Sequence, residues 1–278
     1  MIHLLLAITS SVLVSVLMRL STDRVQKDVA MLTVNYLVCA LLAAASAGFG
    51  ALLPASPALG QTLGMGAVNG ALYLAGFVLL QLNVQKNGVV LSATFMKLGL
   101  LVPMAVSILA FGEQPGALQI IGFILAVAAI VLINQNKDDG AVRSAGGLLL
   151  LLLCGGCGDV MAKVFDELGE KTLEQQFLFY TFVSTLVLCF VLMIRKKQLP
   201  GIPEVLFGAL IGIPNFFSAK FLLRALESVP AVIAYPTYSV ATLLVITLAG
   251  VLLFREKLGR RQWCALGVIL LALALLNI

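Results

Sequence analysis

The chain has 278 residues, of which 61% are apolar and 11% charged, and its mean hydropathy is +1.08. Soluble globular domains carry about 25% charged residues, so this composition excludes a soluble domain and predicts a polytopic membrane protein. The formal net charge of +5 comes mainly from lysines and arginines between apolar runs. It therefore predicts an orientation in the membrane rather than nucleic-acid binding.

Ten apolar segments are long enough to cross a hydrocarbon core of about 30 Å. The first has no basic residues ahead of it and no small-residue cleavage site, so we interpret it as a retained span rather than a signal peptide. Short connectors rich in proline and glycine leave no room for a soluble domain. The predicted fold is an all-α bundle of ten transmembrane helices. The spans, numbered one to ten, are 2–20, 30–53, 60–82, 89–111, 117–134, 145–165, 176–194, 204–226, 230–254 and 262–278.

The basic residues predict the orientation of these spans. Thirteen of the 18 lysines and arginines lie in or beside the connectors that follow spans one, three, five, seven and nine. Such connectors lie in the cytoplasm by the positive-inside rule, so we expect both termini outside, in a bacterial cytoplasmic membrane. The thirteen are Arg19, Arg24, Lys27, Lys86, Lys137, Arg143, Arg195, Lys196, Lys197, Arg255, Lys257, Arg260 and Arg261.

An internal repeat organises the chain. A shift of 143 places residues 111–119, FGEQPGALQ, on residues 254–262, FREKLGRRQ, so that both match F-x-E-x-x-G-x-x-Q. Each half then holds five spans, and an odd number requires the second half to enter the membrane inverted. We therefore expect residues 1–139 and 140–278 to be two inverted five-helix repeats of one membrane domain. A shift of 144 also aligns Arg19 with Lys163, Tyr36 with Tyr180, and Phe77 with Phe221.

Ten spans in two halves, each closing with F-x-E-x-x-G-x-x-Q and a short apolar helix, resemble the EamA-type members of the drug/metabolite transporter superfamily. The resemblance covers essentially the full length. It implies a bundle in which spans one to four and six to nine surround a central cavity, with spans five and ten at the periphery. Many members of that family keep their termini in the cytoplasm, whereas the charges here predict termini outside.

Charged residues without a charged repeat mate are the first candidates for function. Asp159 aligns with Ser15, and Lys97 and Lys220 align with Val240 and Gly76. A charge in the middle of a membrane helix costs roughly 2.5–3.5 kcal/mol on insertion scales and usually faces a bundle interior or a water-filled path. We expect Asp159 to bind a coupling proton or a cationic group, and Lys97 to hold a carboxylate or to respond to the charge of Asp159.

Each of these charges also has a structural alternative. Asp159 can pair with Lys163 one turn later on the same helix, although Lys163 aligns with Arg19 and reads as an interfacial anchor. Lys97 can be a buried lysine paired with Asp159 or a carbonyl. Lys220 and Arg224 can extend to the outer interface, with Arg224 beside Glu227.

Uncharged polar residues form a second group of candidates for substrate binding. They are Asn69 and Tyr73 in span three, Thr94 in span four, Asn215 in span eight, and Tyr235, Tyr238 and Ser239 in span nine. Pro103, Pro214 and Pro236 mark places where a freed backbone carbonyl can line a cavity. Core packing with one hydrogen bond is the structural alternative for each tyrosine.

The cysteines, the histidine and the glycines are explained by packing or by their position, without a role in a functional site. The five cysteines lie in apolar runs, where packing explains them better than a redox or metal site, even for the C-x-x-C of Cys154 and Cys157. His3 reads as an interfacial side chain. The glycines at 64, 66, 70 and 76 and those of GGCG at 155–158 should permit close helix contact.

These observations together predict a secondary transporter that moves a small organic metabolite or drug-like solute by alternating access. No G-x-x-x-x-G-K-[ST] occurs, so an ion gradient, with a proton as the expected ion, is favoured over ATP hydrolysis. The expected partners are a small-molecule substrate, the lipid bilayer and a coupling proton or cation. We expect no cofactor and either a monomer or a homodimer.

Two other classes remain open at this level. A structural or assembly subunit would place Asp159 and Lys97 against lipid or a partner rather than in a cavity. An intramembrane enzyme would need clustered acids, histidines or a nucleophile with its base, and this chain has one histidine and a single deep carboxylate.

Overall fold

The computed structural model describes residues 1–87, 89–134, 144–254 and 260–277. Lys137, Arg143 and most of the second copy of the motif, at 254–262, lie outside them. The described chain is all-helical apart from short turns, and the predicted all-α polytopic fold is confirmed. Its α-helices are α1 Ile2–Ser21, α2 Asp28–Ala47, α3 Leu59–Asn87, α4 Val89–Leu98, α5 Leu101–Phe111, α6 Ala117–Asn134, α7 Ala145–Leu168, α8 Glu174–Arg195, α9 Ile202–Leu226, α10 Ala231–Phe254 and α11 Arg260–Leu276.

Among the described residues, seven helices have the length and apolar composition to cross a membrane. They are α1, α2, α3, α7, α8, α9 and α10. Shorter apolar helices occupy Phe95–Leu109, Ala117–Leu132 and Trp263–Leu276. These stretches coincide with spans four, five and ten.

Several predicted spans have different boundaries in the structure, and span three, for example, continues to Asn87. Span two ends at Ala47, and a single 3-10 turn, Phe49–Ala51, occupies its expected last residues. Span four is two helices, α4 and α5, because the chain turns at Gly99 and Leu100. Hydropathy continues through this break, so the apolar pattern alone predicted one continuous helix.

Side chains near the helix ends explain where several helices begin and end. Gly112 ends α5 in a left-handed conformation, with φ of 68°, which suits glycine. The side chain of Gln119 accepts the N–H of Gly116 and so caps the start of α6. Glu204 accepts the N–H of Gly201 in the same way at the start of α9.

The chain forms two compact units, each built from both halves of the sequence. Unit 1 comprises Met1–Leu74 and Met161–Ala225, and unit 2 comprises Ala75–Val160 and Leu226–Ile278. Helices α3 and α7 contribute residues to both units. The expected division into repeats at residue 139 concerns sequence symmetry, and it stays a prediction.

Unit 1 packs around aromatic and small residues of α2, α8 and α9. Its buried core includes Cys39, Ala43, Phe177, Phe182 and Phe216. The rings of Phe165 and Phe177 are stacked, with centroids 4.3 Å apart. Such aromatic pairs add to stability beyond the area that they bury.

Glycines bring the backbones of unit 1 together, as small residues do in membrane bundles. A Cβ added to Gly66 would lie 2.7 Å from the Cβ of Tyr180, and one added to Gly70 would lie 2.5 Å from the carbonyl oxygen of Thr181. Gly208 and Gly212 of α9 make the same kind of contact with α2. Helix α3 therefore packs on α8 as α9 packs on α2.

Unit 2 packs around the contact between α6 and α11. Its fully buried residues include Ala126, Ala129 and Ile130 of α6 and Ala265 and Ile269 of α11. A Cβ added to Gly122 would lie 3.0 Å from the Cβ of Leu275. Helix α10 packs on α5, α6 and α11.

The most extensive described helix pairs join equivalent positions of the two halves. They are α2 with α8 and α6 with α11. The first residues of α6 and α11 are separated by 143 positions, as the sequence shift predicts. Those of α2 and α8 are separated by 146 positions, two more than the shift that aligns Tyr36 with Tyr180.

The glycine prediction is confirmed for some positions and wrong for others. Gly66, Gly70 and Gly156 lie against neighbouring backbone, whereas an added Cβ at Gly64 or Gly76 would meet nothing within 4 Å. Whether a glycine permits close contact depends on the face of the helix that it occupies. The presence of several glycines in a helix does not reveal which of them face a neighbouring helix.

Candidate functional site

The break in span four lies next to the deepest basic residue of the chain. Lys97 lies in the last turn of α4, and Gly99 and Leu100 form the turn that follows. Backbone bonds across this turn join the N–H of Gly99 to the oxygen of Met96 and that of Val102 to the oxygen of Gly99. A basic residue in the last turn of a helix is favoured by the helix dipole, and Lys97 occupies that position in α4.

Pro103 lies in the first turn of α5 and not in the interior of a continuous span, so the freed carbonyl expected from an interior proline does not arise there. A proline in the first turn removes an N–H that would have no helical partner in any case. Pro214 and Pro236 do lie inside helices, α9 and α10.

Lys97 and Asp159 are brought together in unit 2. Asp159 lies in the middle of α7, and the two charges are close enough to attract one another. Gly99 and Gly156 make the helix approach close, since a Cβ on Gly99 would lie 3.0 Å from the backbone nitrogen of Gly156. Both charged side chains are partly exposed. Two attracting charges in apolar spans are a candidate site for substrate or ion binding.

Tyr235 joins this pair from α10. Its hydroxyl donates a 2.6 Å hydrogen bond to the backbone carbonyl oxygen of Asp159, and its side chain is 1% exposed. The ring therefore packs inside unit 2 and holds α10 against α7 beside Asp159. Tyr238 and Ser239, on the following turn of α10, are partly exposed.

Lys163, the possible partner of Asp159 on the same helix, has a different partner in the structure. The ammonium of Lys163 forms an ion pair with Glu167, four residues later on α7, at 2.5 Å. Lys163 is 3% exposed, so its side chain is buried within the protein, and the expected role as an interfacial anchor stays a prediction. A lysine on a helix can reach a carboxylate one turn before or one turn after it, and here it uses the later one.

Asn69 and Asn215 lie in unit 1, at equivalent helix contacts. The amide of Asn69 donates to the hydroxyl of Thr181 on α8 at 3.5 Å, and that of Asn215 donates to the side-chain oxygen of Asn35 on α2 at 3.3 Å. Asn35 and Thr181 are 146 residues apart, the separation of the first residues of α2 and α8. These bonds join helices within unit 1.

The two basic residues near the end of α9 have partners. Lys220 donates to the hydroxyl of Ser46 at 2.8 Å and lies 5.5 Å from the ring centroid of Phe216. The Nε of Arg224 lies 3.5 Å from Glu174 Oε1. The expected placement of Arg224 beside Glu227 is therefore wrong. Glu174 is close because α8 and α9 both belong to unit 1, although 50 residues separate them in sequence.

The remaining candidates are placed as follows. Tyr73 packs against the aromatic core of unit 1 and is partly exposed. Thr94 lies in α4, and its side chain is outside the described residues. The structure therefore brings Lys97, Asp159 and Tyr235 together in unit 2, with Asn69, Tyr73, Asn215 and Lys220 in unit 1.

One residue of this region was noted in the sequence only as part of the repeated motif. The carboxylate of Glu113 accepts the N–H groups of Ala231 and Val232, at 3.0 and 2.9 Å. The repetition of F-x-E-x-x-G-x-x-Q was the available signal. The pattern did not reveal that its glutamate caps a helix of the other half.

A resident metal has no candidate ligand group among the residues described: no three histidine, cysteine or acidic side chains converge there. All five cysteines are unpaired thiols, and Cys39 and Cys189 are buried. The chemistry available beside the break in span four is therefore that of the Asp159 carboxylate, the Lys97 ammonium and nearby hydroxyls.

Comparison with solved structures shows the fold over nearly the whole chain. A protein of known crystal structure matches with a TM-score of 0.78 and 15% sequence identity, covering 99% of this chain and 94% of that chain. A similarity at this level of identity establishes a common fold and no more.

Sequence comparisons agree with the resemblance of the motif. An uncharacterized protein of Haemophilus influenzae (strain ATCC 51907 / DSM 11121 / KW20 / Rd) is 24% identical over 206 residues, which are 72% of this chain and 69% of the relative. The family model of the EamA-like transporter family matches residues 145–278. The second half of the chain is therefore similar to the EamA-like transporter family, and its long apolar helices make the chain a multi-pass membrane protein.

Proposed function

We propose that the chain is a secondary transporter that moves a small organic metabolite or drug-like solute across the bacterial cytoplasmic membrane. The observation that carries the proposal is the meeting of Lys97 and Asp159 beside the break in span four. Secondary transporters place substrate and ion sites where discontinuous helices end near the middle of the bilayer. The match of residues 145–278 to a transporter family supports the same function.

The proposed mechanism is alternating access between two inverted repeats, residues 1–139 and 140–278. Two features support this symmetry: the pairing of α2 with α8 and of α6 with α11, and the equivalent glycine contacts of α3 and α9. Five spans in each half would place both termini on the same side. The distribution of lysines and arginines supports the outside of the membrane as the side on which both termini lie.

Asp159 is proposed to bind the coupling proton or a cationic group of the substrate. Lys97 then holds a carboxylate of the substrate when Asp159 is neutral, or pairs with Asp159 when the site is empty. Each transport cycle would exchange one partner of the ion pair for another, which avoids leaving a charge alone in a low-dielectric site.

The other residues contribute binding contacts in this proposal. Tyr235 fixes the Asp159 segment of α7 through its backbone, while Tyr238, Ser239 and Thr94 offer hydroxyls to polar groups of the solute. Asn69, Tyr73, Asn215 and Lys220 supply further polar contacts from unit 1. The transporter acts as a monomer or a homodimer in the lipid bilayer.

The test begins with finding a ligand. The purified full-length protein is screened by thermal shift against amino acids, amines, nucleosides and organic acids, since a ligand of the folded state raises apparent stability. Uptake of the best ligand is then measured in proteoliposomes with and without an imposed proton gradient. The proposal predicts gradient-dependent uptake that Asp159→Asn abolishes.

The matched control is Glu170→Gln, because that carboxylate is exposed in the connector between α7 and α8. It should keep uptake close to that of the parent, since surface substitutions change stability little. Equal uptake by the parent and Asp159→Asn under both conditions would refute the role of Asp159. A reporter fused to either terminus tests the orientation, since it should be accessible only from outside the cell.

A further inference from the structure

Glu113 uses both oxygens of its carboxylate on one helix end. Oε1 accepts the N–H of Ala231 at 3.0 Å and Oε2 accepts the N–H of Val232 at 2.9 Å. The first N–H groups of a helix have no acceptor within that helix. A carboxylate is also favoured at that end by the helix dipole. Glu113 therefore caps α10 from the connector between α5 and α6, and all these residues belong to unit 2.

The rest of the motif has a separate task. Gly112 turns the chain at the end of α5, and Gln119 accepts the N–H of Gly116 at the start of α6. Gln119 thus caps its own helix, whereas Glu113 acts on a helix more than a hundred residues away. The glutamate is the residue of this motif that connects the two sequence halves within unit 2.

The turn that Glu113 caps lies directly before Tyr235 in α10. Pro236 follows Tyr235 inside α10 and has no N–H, so the carbonyl of Val232 loses its usual helical donor. The first turn of α10 is therefore held less firmly by the helix itself. Its position depends more on contacts from outside, and Glu113 supplies two of them. Tyr235 in turn donates its hydroxyl to the carbonyl oxygen of Asp159.

We propose that Glu113 is a positioning residue, which fixes the first turn of α10 and thereby holds Tyr235 against the Asp159 segment of α7. The proposal rests on the proposed function only in so far as Asp159 belongs to the transport site. The hydrogen bonds that support it are made within the protein and do not involve a substrate. Its test therefore needs neither a ligand nor a transport assay.

The test follows the Tyr235 ring directly. The full-length protein is labelled with 3-fluorotyrosine, and its five tyrosine signals are recorded by fluorine NMR in detergent, with Tyr235→Phe identifying the signal of Tyr235. Glu113→Gln should shift or broaden that signal, because an amide has one acceptor oxygen for two N–H donors. Glu113→Asp, a shorter carboxylate, should change it less.

Glu204→Gln is the matched control. Glu204 also accepts two backbone N–H groups, those of Gln26 at 3.3 Å and Gly201 at 2.8 Å, but it lies in unit 1. Its replacement should leave the Tyr235 signal unchanged. A Tyr235 signal that is the same in Glu113→Gln as in the parent, or that changes equally in Glu204→Gln, would overturn the proposal.

A double-mutant cycle on thermal unfolding supplies an independent readout. If Glu113 acts through Tyr235, the combined Glu113→Gln and Tyr235→Phe variant loses less stability than the sum of the two single changes. Additive losses would contradict the coupling. If Glu113→Gln does not fold, the same cycle is run with Glu113→Asp. A protein that transports nothing would refute the proposed function and leave both readouts valid.

Discussion

The hydroxyl of Tyr235 donates a hydrogen bond of 2.6 Å to the backbone carbonyl oxygen of Asp159. This bond connects α10 to α7 at the residue whose charge is most costly in the membrane. The tyrosine ring is buried, so its polar end requires a partner within the protein. The same contact that completes the packing of unit 2 therefore sets the backbone position of Asp159.

Tyr235→Phe removes that bond and keeps the ring. We expect a loss of about 1 kcal/mol in the free energy of unfolding, the usual net value of one hydrogen bond, seen as a lower midpoint of thermal unfolding in detergent. Tyr238→Phe is the comparison on the next turn, where the side chain is partly exposed, and should change the midpoint less. A larger loss for Tyr238→Phe would show that the bond to Asp159 contributes little.

The pairing of Lys97 with Asp159 predicts that two replacements together are milder than one. Lys97→Met or Asp159→Asn alone removes one of two attracting charges and leaves the other in a membrane-spanning segment, so each single variant should be less stable than the parent. The double variant removes both charges and should unfold at a higher temperature than either single variant.

Thermal unfolding of the four proteins in one detergent measures this coupling. Arg224→Gln and Glu174→Gln provide a second cycle on a pair whose arginine is 41% exposed and whose glutamate is 11% exposed. Their coupling should be smaller, because solvent screens the charge of the arginine. Strictly additive losses for Lys97 and Asp159 would show that the two charges are held independently.

The sequence predicted the parts of this fold that depend on local apolar length. The spans were found because each must cover the hydrocarbon core, and Lys97 and Asp159 stood out because charges at such depth are rare. The break at Gly99 and Leu100 was missed because leucines continue on both sides of it. Local pattern alone does not separate a kinked span from a straight one.

The sequence also did not predict which partner each charged side chain contacts. Lys163 has carboxylates one turn before and one turn after it, and only the packing of α7 selects Glu167. Arg224 has Glu227 within reach in sequence, yet Glu174 of α8 lies beside it in unit 1. The capping of α10 by Glu113 joins residues 118 positions apart. Contacts of this kind follow from tertiary structure, which periodicity does not encode.

The connector between α7 and α8 carries a carboxylate with a measurable acid response. Glu170 accepts hydrogen bonds from the hydroxyls of Thr172 at 2.6 Å and Ser56 at 2.9 Å, which lower its pKa below the ordinary value of 4.5. A lowered pKa means that these bonds stabilise the fold above pH 4.5. The stabilisation is lost as the pH falls through the pKa of the folded state.

Thr172→Ala and Ser56→Ala should each raise the pKa of Glu170 toward 4.5, with the larger change for Thr172→Ala because its hydroxyl lowers the pKa most. The titration is followed by carbon NMR with labelled glutamate, and Glu170→Gln identifies the signal. An unchanged pKa in both variants would show that the two hydroxyls do not hold the carboxylate in solution.

Gly70 and Gly64 of α3 provide a direct test of the close packing between α3 and α8. A Cβ at Gly70 would lie 2.5 Å from the carbonyl oxygen of Thr181 and 2.7 Å from the Cβ of Ser184, whereas one at Gly64 would meet nothing within 4 Å. Gly70→Ala should therefore destabilise the protein by about 1–3 kcal/mol, since backbone and a packed side chain must move apart. Gly64→Ala should be neutral or stabilising by up to about 1 kcal/mol, because alanine favours a helix over glycine. The midpoints of thermal unfolding of both variants in one detergent test this prediction. Equal midpoints would mean that α3 does not pack on α8 at Gly70.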